Sequence, residues 1–217
     1  MSDVTTARTY GDPCAAARAL DLLGERWALM VVRDLLFGPK RYSDLQSGLP
    51  NASPTVLSQR LRDLEEGGVI RRRKLGPPAR AWVYELTEWG HELEPILVHL
   101  GRWGRHSPPK ETTAPLGTDS LMLAMKSHLD AARLGDLDAT FLVDVGEDVF
   151  TLRVSGGELA IRRGEPDRWD AALRTEPAVL KALVIDGTPP GQAGAEITGD
   201  HAALQRLLDA LHPGDRT

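Results

Sequence analysis

The helix-like stretch from Ser53 to Glu66 has two chemically different sides. At about 100° per residue, one side of the helix collects three leucines within about 60° of one another, which predicts a buried stripe of Leu57, Leu61 and Leu64. The opposite side presents hydroxyl, amide and guanidinium groups, which hydrogen-bond base edges and phosphates in a major groove: Thr55, Ser58, Gln59 and Arg62. The acidic residues are confined to the last turns. The pattern predicts a DNA-recognition helix, with an ordinary solvated helix as the alternative.

A basic run follows that helix. Arg71, Arg72, Arg73 and Lys74 precede a Gly-Pro-Pro turn, and Arg80 lies beyond it, with no acid between Glu66 and Glu85. Charge can protect an exposed strand edge from aggregation, but five cations exceed that need, and phosphate contact is the preferred interpretation. The side chains expected to contact DNA are Arg41, Ser53, Thr55, Ser58, Gln59, Arg62, Arg72, Arg73, Lys74 and Arg80.

The overall acidity of the chain does not exclude this interpretation. The 217 residues carry a net charge of −5, but residues 1–108 hold 15 Lys and Arg against 13 Asp and Glu, a net of +2. Residues 109–217 hold 11 against 18, a net of −7. Local field decides whether a polyanion binds, and the acidic excess belongs to the second half.

Composition and single residues restrict the other classes. No apolar run approaches the roughly 18 residues of a membrane span, and the N-terminus lacks the pattern of a secretory signal. Cys14 is the single cysteine, which excludes an internal disulfide framework and fits a reducing cytoplasm. The histidines are scattered without metal-ligand spacing, and no Gly-rich phosphate loop follows a strand. We therefore expect a cytoplasmic protein that is not an enzyme, contacts no membrane and needs no cofactor or metal.

The order of predicted elements in residues 1–106 is four helices, a two-stranded hairpin and a last helix, which predicts a winged helix-turn-helix domain. The second helix is apolar nearly all round, as a central buried helix would be. Ser43 is the expected N-cap of the short third helix, and Ser53 that of the fourth, with Pro54 at its first position. The remaining elements are helices at 14–23 and 25–37, strands at 69–75 and 81–86, and a last helix at 87–103.

Four sequence motifs occur in order between residues 12 and 105: "GERW", "LLFGPKRYSDL", "VLSQRLRDLEEGGVI" and "YELTEWG". Together they resemble the HxlR-type (MarR-related) winged-helix regulators of bacteria. The resemblance implies a homodimer on a palindromic operator, with the helix at 53–66 as recognition helix and residues 75–80 as wing. It also implies dimerisation through the first and last helices. One face of the last helix fits that role, with intramolecular packing as the alternative: Leu93, Ile96, Leu97, Leu100 and Trp103.

Cys14 opens the first helix, where a helix N-terminus lowers the pKa of a thiol. The same resemblance implies a possible sensor role, because some members of the family detect oxidants, electrophiles or quinones through a cysteine in this region. With one cysteine, any disulfide must join two subunits. The alternative is an inert thiol at a dimer interface.

The pattern changes after a Pro-rich linker at 107–118. Period-two alternation in "ATFLVDV", "VFTLRV" and "ELAIRR" predicts an α+β domain with a curved antiparallel sheet over 119–217. This half resembles a sterol-carrier-protein-2-like (SCP2-like) domain, which implies an apolar tunnel for a hydrophobic or aromatic ligand. A filled core is the alternative for the expected wall residues Phe141, Val143, Phe150, Leu152, Trp169, Leu180, Leu183 and Val184.

The sequence as a whole predicts a homodimeric transcriptional regulator that binds specific double-stranded DNA, represses, and responds to a hydrophobic or aromatic small molecule. Control through Cys14 is one alternative. A lipid or small-molecule carrier that uses its winged helix for protein contacts is an alternative of another class.

Overall fold

A computed structural model describes residues 9–108 and 116–212 of the chain. They form two compact units. The first contains the chain up to Leu35 together with Pro39–Leu93, and the second contains Leu36–Gly38 and the chain from Glu94 onward. The unit boundary therefore falls at Leu93, before the predicted boundary at residue 106. Residues 109–115 of the predicted linker lie outside the described residues.

The first unit is a set of helices followed by a two-stranded hairpin. Strands β1 and β2 pair antiparallel, from Ile70 opposite Leu86 to Lys74 opposite Trp82. Lys40 adds a short bridge to the hairpin, because its N–H donates to the Tyr84 carbonyl over 3.0 Å and its carbonyl accepts the Tyr84 N–H over 2.8 Å. The elements are α1 (Ala15–Leu23), α2 (Ala28–Leu35), α3 (Tyr42–Gly48), α4 (Pro54–Glu66), β1 (Ile70–Lys74), β2 (Trp82–Leu86) and α5 (Glu88–His91).

The start and the end of the fourth helix, α4, are set by residues that favour helix ends. The Ser53 hydroxyl accepts the N–H of Val56 over 3.3 Å, and Pro54 follows at the first helical position. Gly68, with φ of +75°, turns the chain out of the helix toward β1. The predicted leucine stripe is confirmed, since the helix packs on α2 and β1 with Leu57, Leu61 and Leu64 buried.

Two predicted helices are shorter in the structure. The second begins at Ala28 because Trp27 has a φ of +80°, which no α-helix accommodates. The last is divided into α5 and α6 (Leu93–Gly104). Pro95 supplies no N–H for the carbonyl of His91, so a continuous helix could not bond there, whereas proline is tolerated in the first turn of α6. The third helix also begins two residues earlier than predicted, with Arg41 at the N-cap position in place of Ser43, and the Arg41 N–H donates to Asp44 Oδ2 over 3.0 Å.

The second unit is α+β, with helices packed on a five-stranded sheet of order β5-β4-β3-β6-β7. Besides α6, its elements are α7 (Thr118–His128), α8 (Ala131–Leu134), β3 (Ala139–Val145), β4 (Asp148–Ser155), β5 (Glu158–Arg163), β6 (Ala171–Thr175), α9 (Pro177–Val184), α10 (Pro190–Ala193), β7 (Glu196–Gly199) and α11 (His201–Leu211).

The sheet is mixed, which corrects the prediction of an antiparallel sheet. Strands β3 and β6 run parallel, with Phe141 opposite Ala171 and Val145 opposite Thr175. Strands β4 and β5 lie on one side of β3 in the sheet. After β5 the chain crosses to the other side of β3, where β6 runs in the same direction as β3. The other neighbouring pairs are antiparallel.

From Glu94 onward helix α6 belongs to the second unit, where it contacts α7 at a few points. Glu94 forms an ion pair with Lys126, and the Arg102 Nε–H donates to the Ser127 carbonyl over 3.2 Å. A Cβ at Gly101 would lie 2.6 Å from Ser127 Oγ, so a larger residue would force the Ser127 side chain to move. None of the helices in the described part of the chain has both the length and the apolar character that crossing a bilayer requires.

Candidate nucleic-acid interface

The outward face of α4 is a row of linked polar side chains. Thr55, Gln59 and Arg62 are exposed, as the spacing predicted. An Arg62 Nη donates to Gln59 Oε1 over 2.6 Å, and Gln59 Nε2 donates to Asp63 Oδ1 over 2.6 Å. These hydrogen bonds hold the guanidinium and the amide along the helix surface, where both groups can exchange their present partners for base edges or phosphates.

Ser58 is half-buried, and Tyr42 is the reason. The Ser58 hydroxyl lies 3.4 Å from the Tyr42 hydroxyl, which in turn lies 3.1 Å from the Pro54 carbonyl oxygen. Gln46 also ties α3 to the segment before α4, because its Nε2 donates to the Ala52 carbonyl over 2.8 Å. Tyr42 and Gln46 thus fix the N-terminal end of α4. Sequence reasoning missed both residues, and their i, i+4 spacing on α3 was the available signal.

The hairpin divides its cations between two faces. On one face, Glu85 accepts hydrogen bonds from Arg71 Nε at 2.7 Å and from an Arg73 Nη at 2.8 Å. The hydrogen bond from Arg73 is the largest influence on the Glu85 carboxyl, and together with that from Arg71 it lowers the pKa of Glu85 below its ordinary value, although burial opposes the shift. Arg71 and Arg73 are therefore partly neutralised before any phosphate approaches.

On the other face of the hairpin, Arg72 is held by aromatic rings. Its guanidinium lies 4.6 Å from the ring centre of Trp82 and 5.9 Å from that of Tyr84, and Lys74 Nζ lies 6.0 Å from the Trp82 ring. Such cation–π contacts orient a cation without cancelling its charge. Trp82 is itself 49% exposed. Among the four cations of β1, Arg72 and Lys74 are consequently the two better placed to meet an anion.

The structure places the expected DNA contacts on two surfaces. One is α4 with its approach, and the other is the hairpin, where Arg80 lies at the tip with a φ of +42° and donates its N–H to the Gly76 carbonyl over 3.1 Å. All but Ser58 are exposed: Arg41, Ser53, Thr55, Gln59, Arg62, Arg72, Arg73, Lys74 and Arg80. The role of Glu85 was missed, although its cross-strand position opposite Arg71 was a readable signal.

Helix α6 carries an exposed apolar face. Ile96, Leu100 and Trp103 are 54%, 42% and 73% exposed in the single chain. Of the other two residues predicted for a dimer contact, Leu93 is half-buried and Leu97 is only 2% exposed. Leu97 therefore packs within the chain, and the exposed members of the set are Ile96, Leu100 and Trp103.

Cys14 is exposed and caps α1. The backbone N–H groups of Ala17 and Ala16 at the start of α1 favour the thiolate and lower the pKa of Cys14 below its ordinary value. The nearby Arg18 guanidinium is directed to the Pro13 carbonyl over 2.9 Å. The thiol thus combines access with a helix-terminal environment that favours its reactive form.

The wall residues predicted for a ligand tunnel form the core of the second unit instead. Seven of them are at most 1% exposed, while Trp169 is 41% exposed. Side chains packed to this extent fill a core, so the structure lends no support to an open tunnel among them in the described residues. Leu183 also borders a surface cavity of about 290 Å³. The buried seven are Phe141, Val143, Phe150, Leu152, Leu180, Leu183 and Val184.

A polar helix face on α4 followed by a basic two-stranded wing defines a winged helix-turn-helix domain. Residues 22–112 match the family model described as HxlR-like helix-turn-helix. The uncharacterized HTH-type transcriptional regulator YvaP of Bacillus subtilis (strain 168) is 40% identical to the chain over 86 residues, which cover 40% of this chain and 80% of YvaP. The chain therefore belongs to the HxlR-like helix-turn-helix family.

Other similarities cover the same part of the chain. YdeP, another HTH-type transcriptional regulator of B. subtilis (strain 168), is 36% identical over 93 residues, which cover 42% of this chain and 71% of YdeP. Among solved structures, the reduced form of the transcriptional regulator YodB from B. subtilis is 29% identical, covers 45% of this chain and 98% of that chain, and has a TM-score of 0.40. Most of the second unit lies beyond these matches.

Proposed function

We propose that this protein is a cytoplasmic, homodimeric transcriptional regulator that binds specific double-stranded DNA. One observation carries the proposal: the exposed face of α4 offers Thr55, Gln59 and Arg62 and no acid in its first two turns. The family supports it, because the similar proteins YvaP and YdeP are named uncharacterized HTH-type transcriptional regulators.

In this proposal the helix and the wing have different tasks. Arg62 and Gln59 read base edges in the major groove, since guanidinium and amide groups form the bidentate pairs that distinguish bases. Arg72 and Lys74 hold the backbone from the aromatic face of the hairpin, where no carboxylate neutralises them within the described residues. Arg71 and Arg73 contribute less because Glu85 holds them.

The dimer in this proposal forms through the exposed face of α6. Ile96, Leu100 and Trp103 recur at i, i+4 and i+7, so they share one side of the helix. A contiguous apolar surface of this kind is costly to leave in water, and aromatic residues are enriched at the centres of interfaces. A twofold dimer would present two copies of α4 to successive major grooves of a palindromic site.

For the second unit we propose the role of an effector domain of SCP2-like architecture. Its helices packed on a five-stranded sheet and its position after the DNA-binding unit support this role. The effector would be an apolar small molecule. Its binding would shift the population of dimer geometries that fit the operator.

The exposure and lowered pKa of Cys14 favour thiol chemistry as a second candidate means of control. An oxidant or electrophile would act on the thiolate at the start of α1. With a single cysteine in the chain, a disulfide would join two subunits.

Fluorescence anisotropy with duplexes of about 30 bp tiling the gene's own upstream region tests DNA recognition. We expect one duplex to bind in preference to the others, and Arg62→Ala to weaken that complex by about 1–3 kcal/mol while reducing the preference. Arg162→Ala is the matched control, because Arg162 is an exposed arginine of the second unit, far along the chain from α4. Equal binding to every duplex, or equal effects of the two substitutions, would refute the assignment of α4.

A further inference from the structure

A groove in the second unit has the size and lining of a small-molecule site. It lies along α6, beside the end of α7 and the turn between β4 and β5, is open to solvent, and has a volume of about 360 Å³. Pockets for small ligands start at about 300 Å³ and are lined mainly by apolar groups. The apolar lining consists of Pro95, Val98, Leu129, Ala131 and Leu159. None of these belongs to the set of wall residues expected from the sequence.

The polar groups in the groove leave one guanidinium without an opposite charge. Lys126 and Glu94 neutralise each other in an ion pair. Arg102 uses its Nε–H for the Ser127 carbonyl, and none of the described carboxylates forms a salt bridge with it. Glu158 lies on the exposed rim. An apolar surface that ends at an unmatched arginine is complementary to an apolar molecule that carries one carboxylate, which arginine binds through two parallel hydrogen bonds.

The groove and the exposed apolar face occupy different sides of the same helix. Val98, His99 and Arg102 line the groove, whereas Leu100 and Trp103 point to solvent. A molecule seated in the groove would therefore touch α6 directly, and any change in the position of α6 would move the proposed dimer face with it.

We propose that this groove, which we call the α6 groove, binds a small aromatic or aliphatic monocarboxylate, with the carboxylate on Arg102 and the apolar body against Val98, Leu129 and Leu159. This site would supply the ligand of the proposed regulator. Only the statement that the ligand regulates DNA binding rests on the proposed function. Binding itself depends on the second unit alone.

Isothermal titration of the full-length protein with 2-naphthoate, in the absence of DNA, tests the proposal. The neutral 2-naphthamide is the ligand control. We expect saturable binding of 2-naphthoate with a Kd below about 1 mM, and affinity for 2-naphthamide at least about tenfold lower, because the amide cannot form the charged pair.

Three variants locate the site. Arg102→Gln should weaken 2-naphthoate binding at least about tenfold. Ala131→Trp, at an exposed wall position, should block the groove without disturbing the core. Arg105→Gln removes a charge three residues beyond Arg102 and outside the groove lining, so it should bind like the wild type. Circular dichroism confirms that each variant is folded.

The proposal is overturned if the wild-type protein shows no saturable binding up to about 5 mM. It is also overturned if Ala131→Trp, or a folded Arg102→Gln, binds as the wild type does. Because no DNA is present, failure of this titration leaves the DNA-binding proposal standing. Failure to find an operator would likewise leave a positive titration standing.

Discussion

Replacing Glu85 by glutamine should make DNA binding stronger and more sensitive to salt. Glu85 holds both Arg71 and Arg73, at 2.7 Å and 2.8 Å, and the two arginine side chains are 65% and 46% exposed. Loss of the negative charge releases two guanidinium groups on the face of the hairpin opposite Arg72. Released groups of this length can reach a phosphate backbone, and each new contact displaces counterions.

The magnitude follows from the number of cations released. One phosphate contact steepens the slope of log K against log salt by about 0.9, so two contacts steepen it by about 1.8. Between about 50 mM and about 200 mM salt, the loss of affinity should therefore exceed that of the wild type by roughly 3-fold for one contact and roughly 12-fold for two. The accompanying loss of folding stability should stay below about 1 kcal/mol, because both arginines are exposed.

Anisotropy titrations of a nonspecific duplex across that salt range measure the slope. Glu88→Gln is the matched control, since it removes one exposed carboxylate of the same unit, two residues after β2 ends. The control should leave the slope close to that of the wild type. An unchanged or shallower slope for Glu85→Gln would refute the idea that Glu85 restrains the wing cations.

Three further predictions concern acid stability, the cap of α4 and the thiol. The pKa of Glu85 is lowered in the folded state, so its ionised carboxylate stabilises the fold fully above the unfolded pKa of about 4.3. This stabilisation is lost as pH falls through the folded pKa. The free energies of urea unfolding of wild type and Glu85→Gln should therefore converge in acid. Ser53→Ala should cost about 1 kcal/mol in urea unfolding because Val56 loses its cap, whereas Ser47→Ala should cost little. Diamide should yield a covalent dimer on nonreducing gels with the wild type and none with Cys14→Ser; an identical response would exclude disulfide formation by this thiol.

A fourth prediction concerns the face of α6. Trp103→Lys should shift the protein from dimer to monomer in sedimentation velocity at micromolar concentration, because the partner would have to desolvate a charge. Arg105→Lys, which keeps the charge of an exposed neighbour, should sediment like the wild type. A monomeric wild type, or a Trp103→Lys variant that remains dimeric, would show that α6 does not form the interface.

Local signals made the first unit readable from sequence. Ser53 followed by Pro54 predicted the start of α4, and the spacing of the leucines predicted its buried side. The polar face opposite that stripe could be predicted because it depends on the helix period alone. The motifs that indicated the HxlR-like family lie in the same part of the chain.

The features that could not be predicted depend on contacts between residues that are distant in the sequence. The arginine run looked uniform, but strand pairing placed Arg71 and Arg73 beside Glu85 and Arg72 beside Trp82. The parallel pairing of β6 with β3 depends on a crossover that no local pattern encodes. An apolar strand pattern likewise did not distinguish a wall from a core, and Phe141 and Phe150 proved to be fully buried.

Hydroxyl-radical and methylation footprinting of the preferred upstream duplex tests the central claim most directly. The account predicts two protected half-sites about 10 bp apart or a multiple of that spacing, with major-groove methylation blocked at each. It also predicts that Arg62→Ala restores methylation in the grooves while Arg72→Ala chiefly weakens the backbone protection. Protection without any major-groove interference, or loss of groove contacts only in the Arg72 variant, would contradict the claim that α4 reads the sequence and the wing holds the backbone.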